Sequence, residues 1–266
     1  MPLWDISSQR FIRRMKTRIK TASEVRSMRE SGRILATVLQ ALVPRAVAGI
    51  STKELADIAA HELKSLGGKP TFLGHEGFPD VICISINDEI VHGIPSPKRI
   101  LQEGDLVGLD FGVTYGGMIT DSAQSLIVGK PLRPEHKRLL EATERSLYAG
   151  ISMVRHDVRV GDISAAIEGD LKAAGHYGIP RDLVGHGVGS YLWEEPNIPN
   201  YGRPHTGPFL EKGMTIAIEP MVTLGTHQIR LKEDGWTIAT ADGSWAAHFE
   251  HTILILEDGA DILTAL

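Results

Sequence analysis

The sequence of 266 residues predicts an α+β fold, an antiparallel sheet covered by helices, and three observations lead there. Helix-like and strand-like segments fall in blocks rather than in strict βαβ alternation. The strand-like runs, VICISI (81–86), DLVGLDFGV (105–113), TDSAQSLIV (120–128), MTIAIEPMV (214–222) and HFEHTILIL (248–256), are rich in the branched residues that suit a pleated surface. A weak repeat relates EGDLVGLDFG (103–112) to KGMTIAIEPM (212–221), each with a glycine six residues before a carboxylate at the end of a short strand. Two similar halves would then meet across a pseudo-twofold axis, since a solenoid needs more copies.

Taken in order, residues 1–20 form a basic extension in which Arg10, Arg13, Arg14, Lys16, Arg18 and Lys20 face a single acid, Asp5. Phe11, Ile12, Met15 and Ile19 recur near helical spacing, which suits either a solvated arm or a segment lying on an anionic surface such as RNA. Thr21-x-x-Glu24 is a capping box, so a helix follows, with Ile34, Leu35, Val38, Leu39 and Leu42 as one apolar stripe ending before Pro44. Ser51-x-x-Glu54 opens a second helix, closed by Gly67-Gly68. Further helices are expected within 134–154 and 162–174, the latter with Ile163, Ile167 and Leu171 on one face. No low-complexity linker divides the chain, so residues 21–266 are expected to be one domain.

Composition excludes several classes. Lys and Arg number 28 against 33 Asp and Glu, a net charge of −5, which argues against a globally basic DNA binder. The single cysteine, Cys83, excludes an intramolecular disulfide and a Cys-based zinc site and fits a reducing, cytoplasmic setting. No run approaches the roughly 18 apolar residues of a membrane span. HELKS (61–65) and HEGFP (75–79) lack the second histidine of HExxH; GHGVGS (185–190) fails GxGxxG at its last position; no GxSxG elbow occurs.

What remains is a set of acidic residues inside apolar strands, where an unpaired carboxylate would cost several kcal/mol. Gly116-Gly117 reads as a two-residue hairpin turn that pairs Tyr115 with Met118, Gly112 with Asp121 and Asp110 with Ala123, so that Asp110 and Asp121 share one face. Glu219 ends the run MTIAI, and alternation puts His248, Glu250 and Thr252 on one face of the last run. His186 is flanked by Gly185 and Gly187, which leave its ring accessible. Two Asp, two Glu and one His suit Mn, Fe(II), Co or Zn, and two divalent ions would neutralise four carboxylates. Read from spacing alone, the same residues also fit separate, hydrogen-bonded carboxylates.

Together, SINDEIVHGIP (85–95), LDFGVTYGGMITDSA (109–123), GHGVG with EEP (185–196), TIAIEPMV (215–222) and FEHTI (249–253) resemble type I methionine aminopeptidases, over roughly residues 21–264. The resemblance implies a pita-bread fold and two divalent metal ions held by Asp110, Asp121, His186, Glu219 and Glu250. It implies hydrolysis of the peptide bond after an N-terminal, initiator methionine when the next residue is small, with nascent polypeptide N-termini as substrate; a monomer is expected. Glu219 would also shuttle a proton, and His92 would steady the tetrahedral intermediate or the leaving nitrogen. Phe72, His75, Phe78, Cys83, Leu192 and Trp236 would line the methionine pocket.

The sequence departs from the family pattern at Trp193, where a histidine usually precedes the EEP segment. Indole N–H can donate a hydrogen bond to the substrate but cannot accept one or exchange a proton at neutral pH. The competing expectation is therefore a pita-bread peptide-binding protein with weak or no hydrolysis. His248, on the face of Glu250, is expected to hydrogen-bond a ligand carboxylate or to stand by as a spectator.

Overall fold

The computed structural model describes residues 15–266. The N-terminal half contains β1 (Met15–Lys16), α1 (Ala22–Leu42), α2 (Thr52–Ser65), β2 (Lys69–Pro70), β3 (Cys83–Ile86), β4 (Glu89–Val91), β5 (Leu106–Tyr115) and β6 (Met118–Ile127). Both expected capping boxes form. The Glu24 carboxylate accepts the Thr21 N–H at 2.8 Å, and that of Glu54 accepts the Ser51 N–H at 2.9 Å. The β5–β6 hairpin has the register read from the sequence, with Tyr115 opposite Met118, Gly112 opposite Asp121 and Asp110 opposite Ala123. Its turn places both Gly116 (φ 56°) and Gly117 (φ 78°) in the left-handed region that a two-residue turn of this hand requires.

The C-terminal half contains α3 (Pro134–Ile151), α4 (Val160–Ala174), β7 (Gly185–Gly187), β8 (Glu194–Ile198), β9 (Thr215–Ile218), β10 (Met221–Thr223), β11 (Ile229–Leu231), β12 (Ile238–Thr240), β13 (Ala246–His248), β14 (His251–Ile255) and β15 (Ala260–Ile262). One six-stranded sheet runs β1-β8-β7-β9-β14-β15, antiparallel except for the β1–β8 pair. A second sheet pairs β5 with β6 on one edge and with β2 and β3 on the other. Smaller ladders join β10 to β13 and β11 to β12 to β4.

The weak repeat has a structural counterpart. Gly104 (φ 87°) and Gly213 (φ 86°) adopt the same left-handed conformation. Each donates its N–H to the far end of the partner strand, Gly104 to the Val128 carbonyl at 2.7 Å and Gly213 to the Ile255 carbonyl at 2.9 Å. Six residues on, Asp110 lies within the β5–β6 ladder opposite Ala123, and Glu219 lies one residue past the β9–β14 ladder, which ends at Ile218 opposite His251.

Alternation decides which face becomes the core. Val107, Leu109, Phe111 and Val113 of β5 pack under the α1 stripe of Ile34, Leu35, Val38, Leu39 and Leu42. Ile216, Ile218, Ile253 and Ile255 of β9 and β14 pack with Leu139, Leu147, Ile163 and Ile167 of α3 and α4. Each such buried side chain contributes about 1.5–3 kcal/mol of transfer free energy. The even-numbered Asp110 is thereby turned to the face without helices, and Glu219 follows from the same alternation in β9.

Two expectations need correction. The runs 214–222 and 248–256 are not continuous strands: the first breaks at Glu219-Pro220 and the second at Phe249-Glu250. Pro220 has no N–H to give a ladder, so β9 ends before it. The basic extension expected over 1–20 is partly built into the sheet, since Met15 and Lys16 pair with Glu194 and Glu195 and the Lys20 side chain is buried. Residues 1–14, with most of the expected arm, lie outside the described residues. Among the described residues no helix is long and apolar enough to cross a membrane.

Candidate metal centre and substrate pocket

Five strands or strand ends deliver the five candidate ligands to one cavity: Asp110 from β5, Asp121 from β6, His186 from β7, Glu219 after β9 and Glu250 before β14. Asp110, Asp121, His186 and Glu250 are buried, and Glu219 is partly so. The hairpin makes Asp110 and Asp121 diagonal neighbours, an antiparallel bridge sets Glu250 beside Ala123, and His186 stands opposite Ala217. One ligand atom each from Asp121, His186 and Glu250 lie within 4.8 Å of one another, and so do atoms of Glu219, His248 and Glu250. His186 Nε2 is 3.4 Å from Glu219 Oε1.

The backbone around these groups is pinned by hydroxyls. Thr252 Oγ1 accepts from the Asp121 N–H at 2.9 Å and donates to the Asp121 carbonyl at 2.8 Å. Ser122 Oγ donates to the Glu250 carbonyl at 2.6 Å, and Asn200 Nδ2 to the Glu219 carbonyl at 3.0 Å. His186 Nδ1 lies 2.9 Å from the Gly187 carbonyl, which only a protonated Nδ1 can satisfy. In the neutral ring the Nε2 is then the lone-pair nitrogen, the tautomer a metal ligand needs.

Buried oxygens without partners test the fit of a metal. Asp110 Oδ1, Asp121 Oδ1 and Glu250 Oε1 are shielded from solvent and accept no hydrogen bond among the described residues. Burial, then the charges of Asp121 and Glu219, push the Asp110 carboxyl well above its ordinary range. Burial, then Asp121, Glu219 and Asp110, do the same to Glu250. Burial raises Asp121 to about 7 against a backbone hydrogen bond that lowers it. The unpartnered buried oxygens of Asp110, Asp121 and Glu250 converge where a cation would complete them. Hard oxygens with one imidazole suit Mn, Fe(II), Co or Zn.

His92 lines the same cavity on a left-handed backbone (φ 59°), and its buried Nδ1 has no partner among the described residues. Burial draws its pKa down to about 4, so the ring is neutral at ordinary pH. His248 stays beside the ligands as alternation implies, but Nε2 is 3.7 Å from Glu219 Oε2 and 3.9 Å from Glu250 Oε2, too far for a hydrogen bond. Burial, then His92, lower its pKa to about 3.

The expected pocket residues Phe72, His75, Phe78, Cys83, Leu192, Trp193 and Trp236 all line this cavity. Phe78 meets Trp236 edge-on at 5.3 Å between ring centroids, Phe72 meets Phe78 at 6.4 Å, and His75 meets Trp193 at 4.9 Å. Cys83 stands opposite Asp110 in the ladder, and burial, then Asp110, push its thiol well up. Sequence reasoning missed Val91, Asp182, Leu183, Val184 and Met221 in the lining. Met221 could have been found from its place just after Glu219-Pro220; the segment 182–184 carries no local signal.

Residues 26–257 match the model of metallopeptidase family M24. Methionine aminopeptidase 1 of Bacillus subtilis is 45% identical over 245 residues, spanning 92% of this chain and 98% of that protein. The chain belongs to the methionine aminopeptidases of family M24. Methionine aminopeptidase of Clostridium acetobutylicum is similar at 41% identity, again over 92% of this chain and 98% of that protein. Among solved structures, a methionine aminopeptidase from Thermotoga maritima superposes with a TM-score of 0.92 at 43% identity, covering 94% of this chain and all of that one, 100%. A prolidase from Pyrococcus furiosus shares the fold alone, with a TM-score of 0.73 at 23% identity, 93% of this chain and 65% of that chain. The expected pita-bread architecture is the one this methionine aminopeptidase adopts.

Proposed function

We propose that the chain is a metal-dependent aminopeptidase that removes an N-terminal methionine from nascent polypeptides when the next residue is small. The observation that carries this reading is the convergence of partnerless buried carboxylate oxygens on one side of a cavity whose other side is aromatic and apolar. Asp110, Asp121, His186, Glu219 and Glu250 would hold two divalent ions, Co, Mn, Fe(II) or Zn. When bound, such ions acidify water and polarise a carbonyl.

The protein's own residues supply the rest. Phe72, Phe78, Cys83, Leu192 and Trp236 enclose an unbranched thioether by shape and soft contact, worth about 0.3–1.5 kcal/mol per sulfur–ring pair. Glu219, the least buried of the carboxylates, takes a proton from the attacking water and delivers it toward the leaving amine. His92 is neutral and its Nδ1 has no protein partner, so the ring has hydrogen-bonding capacity for the substrate. Trp193 offers only an N–H donor, and no proton transfer is assigned to it.

The alternative of a peptide-binding protein with little hydrolysis is not supported, because Trp193 sits in the apolar wall while the candidate ligand set is complete. A monomer working in the cytoplasm, with transient ribosome contact through the basic N-terminal arm of residues 1–20, completes the proposal. The deciding experiment gives metal-stripped protein Mn, Fe(II), Co or Zn anaerobically and measures methionine released from Met-Ala-Ser, with Asp110→Ala alongside. Metal-dependent release that vanishes in the variant is expected. Two equivalents of metal bound without release would overturn the reading.

A further inference from the structure

Residues 15–20 run beside the loop that carries Leu192 and Trp193. β1 lies parallel to the start of β8, Met15 opposite Glu194 and Lys16 opposite Glu195, and the Thr17 N–H donates to the Glu195 carbonyl at 3.0 Å. The Lys20 side chain then turns inward. It is 0% exposed, and its partner Glu194 is 3% exposed. Its three N–H donors go to Glu194 Oε2 at 3.0 Å, Thr17 Oγ1 at 2.9 Å and the Arg18 carbonyl at 3.1 Å. The other oxygen of Glu194 accepts the Ser190 and Tyr191 N–H groups at 2.8 and 3.1 Å. Gly189 lies against the lysine stem, where a Cβ would come within 2.4 Å of Lys20 Cε. One carboxylate thus ties segment 190–194 end to end, Lys20 clamps that carboxylate, and Leu192 and Trp193 are the span between.

Stability gives no sufficient reason for this pair. Taking two charges out of water costs several kcal/mol per ion, and apolar replacements of buried pairs are often neutral or stabilising. What the pair adds is direction, because each bond fixes an angle as well as a distance. We propose that Lys20, acting through Glu194, is a positioning residue for the Leu192–Trp193 wall and thereby sets the affinity of the pocket for the N-terminal side chain of a peptide. The inference rests on the peptidase reading. The candidate metal ligands stand on other strands, so the wall can move while they remain.

The test is steady-state hydrolysis of Met-Ala-Ser by Lys20→Met, with Kd for free methionine measured by tryptophan fluorescence and metal content measured in parallel. KM and the methionine Kd are expected to rise by about tenfold or more, with kcat within about threefold and metal content unchanged. The double variant Lys20→Met/Glu194→Gln removes the stranded buried charge; it is expected to regain thermal stability while KM stays high. It also replaces the single variant should that fail to fold. A KM that is unchanged in either variant, or that returns to the parental value together with Tm, would overturn the inference. Because the methionine Kd is read without turnover, a parent protein that binds methionine but releases none would sink the peptidase reading and leave the strap testable.

Discussion

Ala123 and Glu250 exchange backbone hydrogen bonds in both directions, Ala123 N–H to the Glu250 carbonyl at 3.3 Å and Glu250 N–H to the Ala123 carbonyl at 2.9 Å. This seam joins the hairpin that carries Asp110 and Asp121 to the β9–β14 pair, at whose end Glu219 and Glu250 stand. Thr252 and Ser122 stitch the same seam with their hydroxyls.

Thr252→Val keeps the shape but removes both bonds to the Asp121 backbone, leaving a buried N–H and a buried C=O unpaired. Urea titration of the metal-free protein should show a loss of about 1–3 kcal/mol. Titration with Mn should show weaker binding as well, since the Asp121 carboxylate loses its anchor. Parental stability would show that the seam relaxes without cost.

Asp110→Asn removes one of the crowded carboxylates while keeping its volume. In metal-free protein the variant should melt higher than the parent, because burial and the neighbouring charges disfavour the ionised form. Added Mn, which should raise the parental Tm, should have little effect on the variant. Differential scanning calorimetry with and without metal reads both effects.

Above about pH 6.5, where His92, His248 and His251 are neutral folded or unfolded and no longer add stability as pH rises, the metal-free protein should lose stability with increasing pH. Asp121 titrates at about 7 when folded and near 3.8 when unfolded, so between those values the folded state holds more protons. Unfolding then becomes easier with increasing pH, by up to about 1.4 kcal/mol per pH unit for each such carboxylate. Denaturant midpoints from pH 6.5 to pH 8.5 check this; a midpoint that climbs over that range would show the carboxylates to be solvated. Metal present throughout should abolish the trend.

His92→Asn separates the ring of His92 from its backbone, because asparagine tolerates the left-handed conformation found there. Turnover of Met-Ala-Ser should fall by about 10²–10³-fold, the scale of losing one transition-state hydrogen bond. Metal stoichiometry by elemental analysis should not change. A variant with parental kcat would assign His92 to structure alone.

The hairpin was legible because two adjacent glycines leave little choice of turn, and that turn alone fixes which residues oppose Asp110 and Asp121. Both helix starts were legible from four residues each, since a capping box is a local exchange of hydrogen bonds. The interruptions at Glu219-Pro220 and Phe249-Glu250 were not read, although Pro220 carried the signal, because residue alternation is blind to where a ladder stops. Nor could the sequence place Lys20. A lysine among basic neighbours reads as solvated, and its burial depends on Glu194, 174 positions away. The pairing of His75 with Trp193 is likewise a product of two distant loops.

Glu250 is at once a proposed metal ligand and a rivet. Its side chain faces the ion site while its own peptide group is half of the bond that fastens one half of the molecule to the other. A shift of that peptide by even one register position would move the carboxylate to the opposite face of the sheet, so the halves cannot slide and still bind an ion. Under the proposed reading, an ion in place would report that the two halves have closed in the right alignment.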